Sequence, residues 1–267
     1  MHIFVINLEK DRERRESITR QLNGLHLPFE LFPGVLGSAL SPEELASCYD
    51  DKKAKRKLCM SLVPAHIGCS LSHAKIYREI IGRELPCALI LEDDVVLPSS
   101  VPGVLAQIAE LIEERKPEVI LLSPANGLSE RKRKRDLGNG SSLVPFKSGY
   151  FTSSYIVTNT AARALYKELY PVADTADCWD RLKRYKVVDI YVLAPALIAQ
   201  DRSTFGSSTH EDTMQSLRAL RIHGVRKLIF KGRRAWSKLV DCFYALYRRH
   251  CLPYAGTDLN WRGESEK

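Results

Sequence analysis

Three acids in a row, Glu92, Asp93 and Asp94, follow the apolar run Cys87 to Leu91 (CALIL) and precede Val95, Val96 and Leu97. Adjacent carboxylates repel one another unless a cation or hydrogen-bond donors compensate them. The end of a buried strand is also where open α/β sheets place their ligands. In an extended chain the side chains at i and i+2 share a face, so Glu92 and Asp94 would point one way and Asp93 the other. That geometry offers two hard oxygen ligands to a divalent cation, with a solvated acidic turn as the plainer alternative.

Other residues with chemical potential lie on either side. His66, Cys69 and His73 stand at i, i+3 and i+7 in a helical stretch and so share a face. Three ligands from one helix cannot easily surround a small ion, which argues against zinc there. Asn7, Arg12 and Arg15 lie at or just after the end of the first apolar run. Arginine offers a fork of donors suited to phosphate or a base edge. A solvated helix face explains the mixed run Arg12 to Glu16 nearly as well.

The elements that must position these residues read as alternating strands and helices. His2 to Leu8 predicts a buried strand and Lys10 to Leu22 a helix, stopped by Asn23-Gly24. Pro28 to Val35 predicts a second strand, with Pro33 favouring an early end or an edge position. Ser41-Pro42-Glu43-Glu44 is a capping box that opens a helix, and Asp50 to Lys57 (DDKKAKRK) reads as a solvated connection. Ala65 to Arg83 predicts a helix, Cys87 to Glu92 a strand, Val101 to Arg115 a helix and Val119 to Leu122 a strand. Ser123 to Ser148 shows no periodicity and reads as a long loop, of the kind that often serves as a lid. Tyr150 to Val157, Thr160 to Leu169 and Val187 to Leu193 then read as strand, helix and strand. The pattern is that of an open, mostly parallel α/β sheet flanked by helices.

Composition sets the outer bounds. A chain of 267 residues with 45% hydrophobic content can bury a full core. Ten lysines and arginines against Asp241 give Gln215 to His250 a net of +9, while the whole chain carries +8, so the remainder is at −1. The basic character belongs to the C-terminal segment. Interleaved with Leu217, Leu220, Leu228, Trp236, Phe243 and other apolar residues, it predicts a basic amphipathic helical extension, residues 215–267. This would be suited to an anionic membrane surface, each nearby cation adding ~1 kcal/mol; packing on the domain is the alternative. Seven cysteines without a CxxC pair point to a reducing compartment. No stretch approaches the ~18 continuous apolar residues of a spanning helix. The expectation is a cytoplasmic protein, peripheral to the membrane, with no nucleic-acid partner.

Four stretches in order, INLEKDRERR (Ile6 to Arg15), IGCSLSH (Ile67 to His73), LILEDDV (Leu89 to Val95) and GYFTSSYIVTNTAARAL (Gly149 to Leu165), resemble glycosyltransferase family 25. Its members include lipooligosaccharide galactosyl- and glucosyltransferases and collagen-modifying enzymes. The resemblance implies a GT-A-like catalytic domain over residues 1–214, a UDP-sugar donor and inversion at the anomeric carbon. It implies that EDD stands for the DxD motif, with Asp94 the direct Mn²⁺ or Mg²⁺ ligand and Glu92 or Asp93 near the ribose or the ion's water. It also gives Asn7, Arg12 and Arg15 to the nucleotide, and Ser72 and His73 to the donor pocket, with Gly68 permitting close backbone approach. His210 could be a third metal ligand; a surface-loop histidine is the competing reading. Inversion needs a general base, for which Asp177 is the first candidate and Asp174 and Asp180 the next, helix capping around Trp179 being the alternative. The expected reaction is hexose transfer, from UDP-galactose first of all, to a lipooligosaccharide or lipopolysaccharide acceptor. The rivals are a metal-dependent phosphohydrolase and a non-catalytic basic module for membrane or nucleic acid.

Overall fold

The computed structural model describes residues 1–201 except Cys59, Asn126, residues 129–133 and Phe151. His210 and the basic segment 215–267 lie outside the described residues. In chain order the elements are β1 (His2–Asn7), α1 (Arg12–Gly24), β2 (Glu30–Pro33), α2 (Pro42–Cys48), α3 (Asp51–Leu58), α4 (Pro64–Gly82), β3 (Cys87–Glu92) and β4 (Val95–Val96). There follow α5 (Val101–Leu111), β5 (Glu118–Leu121), β6 (Gly127–Leu128), β7 (Arg135–Asp136), β8 (Ser142–Ser148), β9 (Ser154–Thr158), α6 (Asn159–Leu169), α7 (Trp179–Arg184), β10 (Asp189–Ala194) and β11 (Ala199–Gln200).

Nine strands form one sheet in the order β2-β1-β3-β9-β5-β10-β8-β6, with β7 also on β8; β4 and β11 pair separately. β1 is parallel to β2 and β3, and β10 to β5. β9 runs antiparallel between β3 and β5, and β8 antiparallel to β10, β6 and β7. All strands of this sheet except β8 and β9 therefore point one way, giving the mostly parallel α/β sheet that the sequence predicts. The chain steps from β1 out to β2 and back across to β3. That reversal makes the C-terminal ends of β1 and β3 the switch point at which such sheets bind ligands.

Period-two alternation sorts the strand side chains into two cores. Ile3, Val5, Leu89, Leu91, Ile120 and Ile156 pack with Ile18 and Leu22 of α1 and Val104 and Ile108 of α5. Phe4, Ala88, Ile90, Val119, Tyr155 and Val157 pack on the opposite face with α4, α6 and α7. By the same count Glu92 follows Ala88 and Ile90 towards the α4 face. A third, smaller cluster joins α2 and α3 to the first turns of α4.

Two expectations fail. DDKKAKRK forms α3: Asp50 Oδ1 accepts from the Lys53 amide at 2.8 Å, and Ala54 is buried. Charge density hid the one small residue that docks the helix. The presumed loop Ser123 to Ser148 contains β8, whose Leu143, Val144 and Phe146 are buried against β10 and its neighbours. A continuous apolar run carries no alternation, and Pro145 within it disguised a strand. The capping box of α2 is present in both directions, Ser41 Oγ accepting from the Glu44 amide and Glu44 Oε2 from the Ser41 amide.

Gly68 lies where α4 meets the chain segment at residues 35–37. A Cβ there would stand 2.3 Å from the Val35 carbonyl oxygen and 2.6 Å from the Gly37 nitrogen. Both obstacles are backbone, so neither can rotate away. Gly68→Ala is expected to lower stability by roughly 1–3 kcal/mol or more, the usual cost of overpacking, measured by urea unfolding. An unchanged midpoint would mean that the segment has room to retreat.

Candidate active site

Strand register does the first part of the positioning. β1 and β3 are parallel with Ile6 beside Glu92, so the next residues, Asn7 and Asp93, leave the sheet side by side. Asn7, only 4% exposed, donates from Nδ2 to Asp93 Oδ2 at 2.6 Å and to the Asp11 carbonyl at 3.1 Å. Its Oδ1 accepts from Arg15 Nε at 2.7 Å. Asn7 is thus a hub that fixes the second acid of the triplet and the start of α1.

α1 supplies a cation that the sequence reading passed over. Arg14 Nη1 lies 3.4 Å from Asp93 Oδ1 and 3.7 Å from Asp94 Oδ2. Arg14, Ile18 and Leu22 are spaced at i, i+4 and i+8 on the face turned to the sheet, and Ile18 and Leu22 are fully buried. Gln21 on the same side brackets the turn's exit, donating to the Val95 carbonyl at 3.0 Å and accepting from the Leu97 amide at 2.8 Å. Arg12 belongs to the other face, with Glu16 and Arg20, and all three are exposed. Of the two arginines expected at the nucleotide, Arg15 is tied to the site and Arg12 is not.

The three acids do not alternate as an extended chain would have them. The strand ends at Glu92, and Asp93 and Asp94 form a turn before β4, so each acid has its own surroundings. Glu92 points to the α4 face, where Oε1 accepts from Thr152 Oγ1 at 2.7 Å and stands 3.7 Å from His73 Nε2. Asp93 is held by Asn7 and Arg14. Asp94 has only long side-chain contacts, to Arg14 and to Gln200 Nε2 at 3.5 Å, while its carbonyl accepts from the Asp201 amide at 2.7 Å. Thr152 and Gln200 joined the site through tertiary structure alone.

Electrostatics follows this division. Burial pushes Glu92 upward, but His73, Thr152 and Arg14 outweigh it and hold the carboxyl below its usual range. Burial raises Asp93 despite Asn7 and Arg14. Asp94 is pushed up to about 6, by burial first and then by the charges of Glu92 and Asp93. It is the acid whose charge is least compensated by the protein itself.

α4 contributes in two ways. Gly68 and Ser72 turn to the chain's own segment, Ser72 Oγ accepting from the Val35 amide at 2.8 Å and donating to the Gly68 carbonyl at 2.7 Å. The close approach that Gly68 permits is therefore between two pieces of this backbone. Cys69 and His73, one turn apart, face Glu92. His66 is half-buried and outside that group.

The acids around Trp179 separate cleanly. Asp174 is 2% exposed, ion-paired with Arg181 and 3.9 Å from Lys57 Nζ, and its carbonyl accepts from Ser70 Oγ at 3.0 Å. It ties α3, α4 and α7 together. Asp180 sits in the first turn of α7. Asp177 is half-buried and close enough to Cys69 to act on it: burial pushes that thiol far up, and the charges of Glu92, Asp177 and Asp94 add to it.

With this geometry in place, comparison with known proteins is specific. The profile of glycosyltransferase family 25, described as an LPS biosynthesis protein family, matches residues 1–179. The chain belongs to glycosyltransferase family 25. The match spans β1, the acidic triplet, α4 and Asp177. Procollagen galactosyltransferase 2 of Homo sapiens is 26% identical over 171 residues, 61% of this chain and 27% of that protein. A putative glycosyltransferase of Haemophilus influenzae is 28% identical over 237 residues, 84% of this chain and 78% of that protein. The chain thus matches about a quarter of the human family 25 protein and most of the bacterial one. A solved glycosyltransferase involved in glycosylation of the major capsid of PBCV-1 has a TM-score of 0.38 at 14% identity, covering 81% of this chain and 98% of that one. That likeness is too distant to bear on function.

Proposed function

We propose that this family 25 protein is a metal-dependent, inverting glycosyltransferase that moves a hexose from a UDP-sugar to an acceptor hydroxyl. The observation that carries the reading is Asp94: a carboxylate just past the C-terminal end of β3, beside two further acids and lacking a short side-chain hydrogen bond. An oxygen donor in so acidic a turn suits Mn²⁺ or Mg²⁺. Such an ion, when bound, stabilises the charge that builds on the departing diphosphate. Asp94 would hold it, with Asp93 beside it under the control of Asn7 and Arg14. Arg15 and Asn7 would serve the nucleotide side, and Asp177, just before α7, would take the acceptor's proton; its charge acting on Cys69, beside Glu92, supports that reading.

Galactose from UDP-galactose is the first donor to test, since the human relative is named a galactosyltransferase. A lipooligosaccharide or lipopolysaccharide acceptor is supported by the family's description. The basic segment 215–267 would hold the enzyme at the anionic membrane face where such acceptors reside; no helix among the described residues is long and apolar enough to cross a membrane. The test is a screen of UDP-sugars for Mn²⁺-dependent turnover with glycolipid and short soluble acceptors, alongside sedimentation with anionic vesicles. One UDP-hexose should be consumed only with the ion present. Hydrolysis of simple phosphodiesters without sugar transfer would favour a phosphohydrolase instead, and indifference to vesicles would remove the membrane role.

A further inference from the structure

On the α4 side of β3, next to the Asp93–Asp94 turn, lies a second set of potential ligands, which shares Glu92 with the triplet. Cys69 Sγ, one ring nitrogen of His73 and one carboxylate oxygen of Glu92 all lie within 4.8 Å of one another. Cys69 and His73 are at i and i+4, so successive turns of α4 present both donors to the same point. Glu92 comes from a different element, the end of β3, and closes the side that a single helix leaves open. The objection that one helix cannot surround an ion therefore does not apply to this trio.

A second observation points to a ligand. His73 is 1% exposed, and its Nε2 has no hydrogen-bond partner. Glu92 Oε1 stands at 3.7 Å, ion-pair range for a protonated ring but too far for a hydrogen bond, and close to the spacing of neighbouring ligands around a small ion. Buried polar nitrogens are almost always satisfied. The other ring nitrogen is already engaged, Nδ1 lying 2.8 Å from the Tyr155 hydroxyl, which in turn is 2.8 Å from the Tyr77 hydroxyl. A hydrogen bond to one ring nitrogen is what orients an imidazole to ligate through the other.

We propose that Cys69, His73 and Glu92 form a second cation site, taking a divalent ion that prefers thiolate and imidazole, such as Zn²⁺, and separate from the oxygen-donor position at Asp94. Three protein ligands with a remaining open position fit a tetrahedral ion, whereas Mg²⁺ has no use for sulfur. On binding, the Cys69 thiol gives its proton to solvent and its sulfur bonds the metal, with no change of oxidation state. The ion would join α4 to the end of β3 and so brace the turn that carries Asp93 and Asp94. Nothing in this depends on whether the protein transfers sugar.

The test uses the full chain, stripped with chelator and titrated with Co²⁺, which reports thiolate ligation by a near-ultraviolet charge-transfer band. The wild type should give a saturable, stoichiometric band that Zn²⁺ abolishes and excess Mg²⁺ leaves in place. Cys69→Ser and Cys69→Ala should lose it. Glu92→Gln keeps the thiolate and should retain the band with affinity reduced by more than the ~10–100-fold attached to outer-shell partners. Zn²⁺ should also raise the unfolding midpoint of the wild type and not of Cys69→Ser. No band in the wild type, or a band that survives loss of Cys69, overturns the proposal, as does unaltered affinity in Glu92→Gln. If neither Cys69 variant folds, the Glu92→Gln titration still decides.

Discussion

Asp94→Asn is expected to abolish Mn²⁺-dependent binding of the UDP-sugar and to lower transfer by ~10³-fold or more, while leaving a folded and more stable protein. The loss follows from removing the charged oxygen that a hard cation needs; Lewis-acid stabilisation of a leaving group is worth several kcal/mol, and each ~1.36 kcal/mol is tenfold in rate. The gain follows from the carboxyl being pushed up to about 6. A group whose folded value is raised contributes its stability below its unfolded value, near ~3.9, and loses it as the pH rises through the folded one. At pH 7 the metal-free wild type therefore carries a penalty of order 1–3 kcal/mol that the amide lacks. Proton and metal compete for the same oxygen, so metal-dependent binding in the wild type should also weaken as the pH falls below about 6. Calorimetric titration of UDP with and without Mn²⁺, and urea unfolding without metal at pH 5 and pH 7, measure both halves. Full metal-dependent binding in the variant would remove Asp94 from the metal site.

Asp93→Asn tests a different geometry. If the chain were extended through all three acids, Asp93 would point away from the pair and its loss would matter least. The strand instead ends at Glu92, and Arg14 touches both Asp93 and Asp94. The acids are arranged by their neighbours, not by the pleat, and that distinction marks where the sequence stops being legible. Local signals were sufficient for β3, whose apolar run and acidic stop predict Cys87–Glu92, and for α2, whose cap is written in four consecutive residues. They were also sufficient to place the acids at the C-terminal end of a strand beside Asn7.

Legibility fails where a residue's role depends on a partner distant in the chain. Thr152 and Gln200 reach the triplet across 60 and 106 residues, and nothing in their own neighbourhoods announces it. The family resemblance gives Gly68 and Ser72 to the donor pocket, yet in the fold they meet residues 35–37. Arg14 is the instructive miss, because its signal was present. It stands one helical turn before Ile18, whose burial follows from amphipathic spacing, whereas Arg12 shares its face with Glu16 and Arg20. Reading the helix by face would have chosen Arg14 and Arg15 and set Arg12 aside.

Asp177→Asn is expected to lower turnover by ~10²–10⁴-fold while UDP-sugar affinity stays within a few-fold of wild type, the pattern of a lost general base. Three acids around Trp179 compete for that role, and their surroundings separate them. Asp174 is neutralised by Arg181 and Lys57 and almost fully buried; a base so paired would be a poor proton acceptor, and Asp174→Asn should show mainly as lost stability. Asp180 lies within α7's first turn. Asp177 is half-buried, and its charge contributes to raising the Cys69 thiol beside Glu92, which makes it the first of the three to test as the base. The discriminating measurement is single-turnover transfer in Asp177→Asn, Asp174→Asn and Asp180→Asn, with donor affinity taken separately by titration. A selective loss of the chemical step in Asp177→Asn supports the assignment. Wild-type turnover there, or an equal loss of donor binding, would move the base elsewhere.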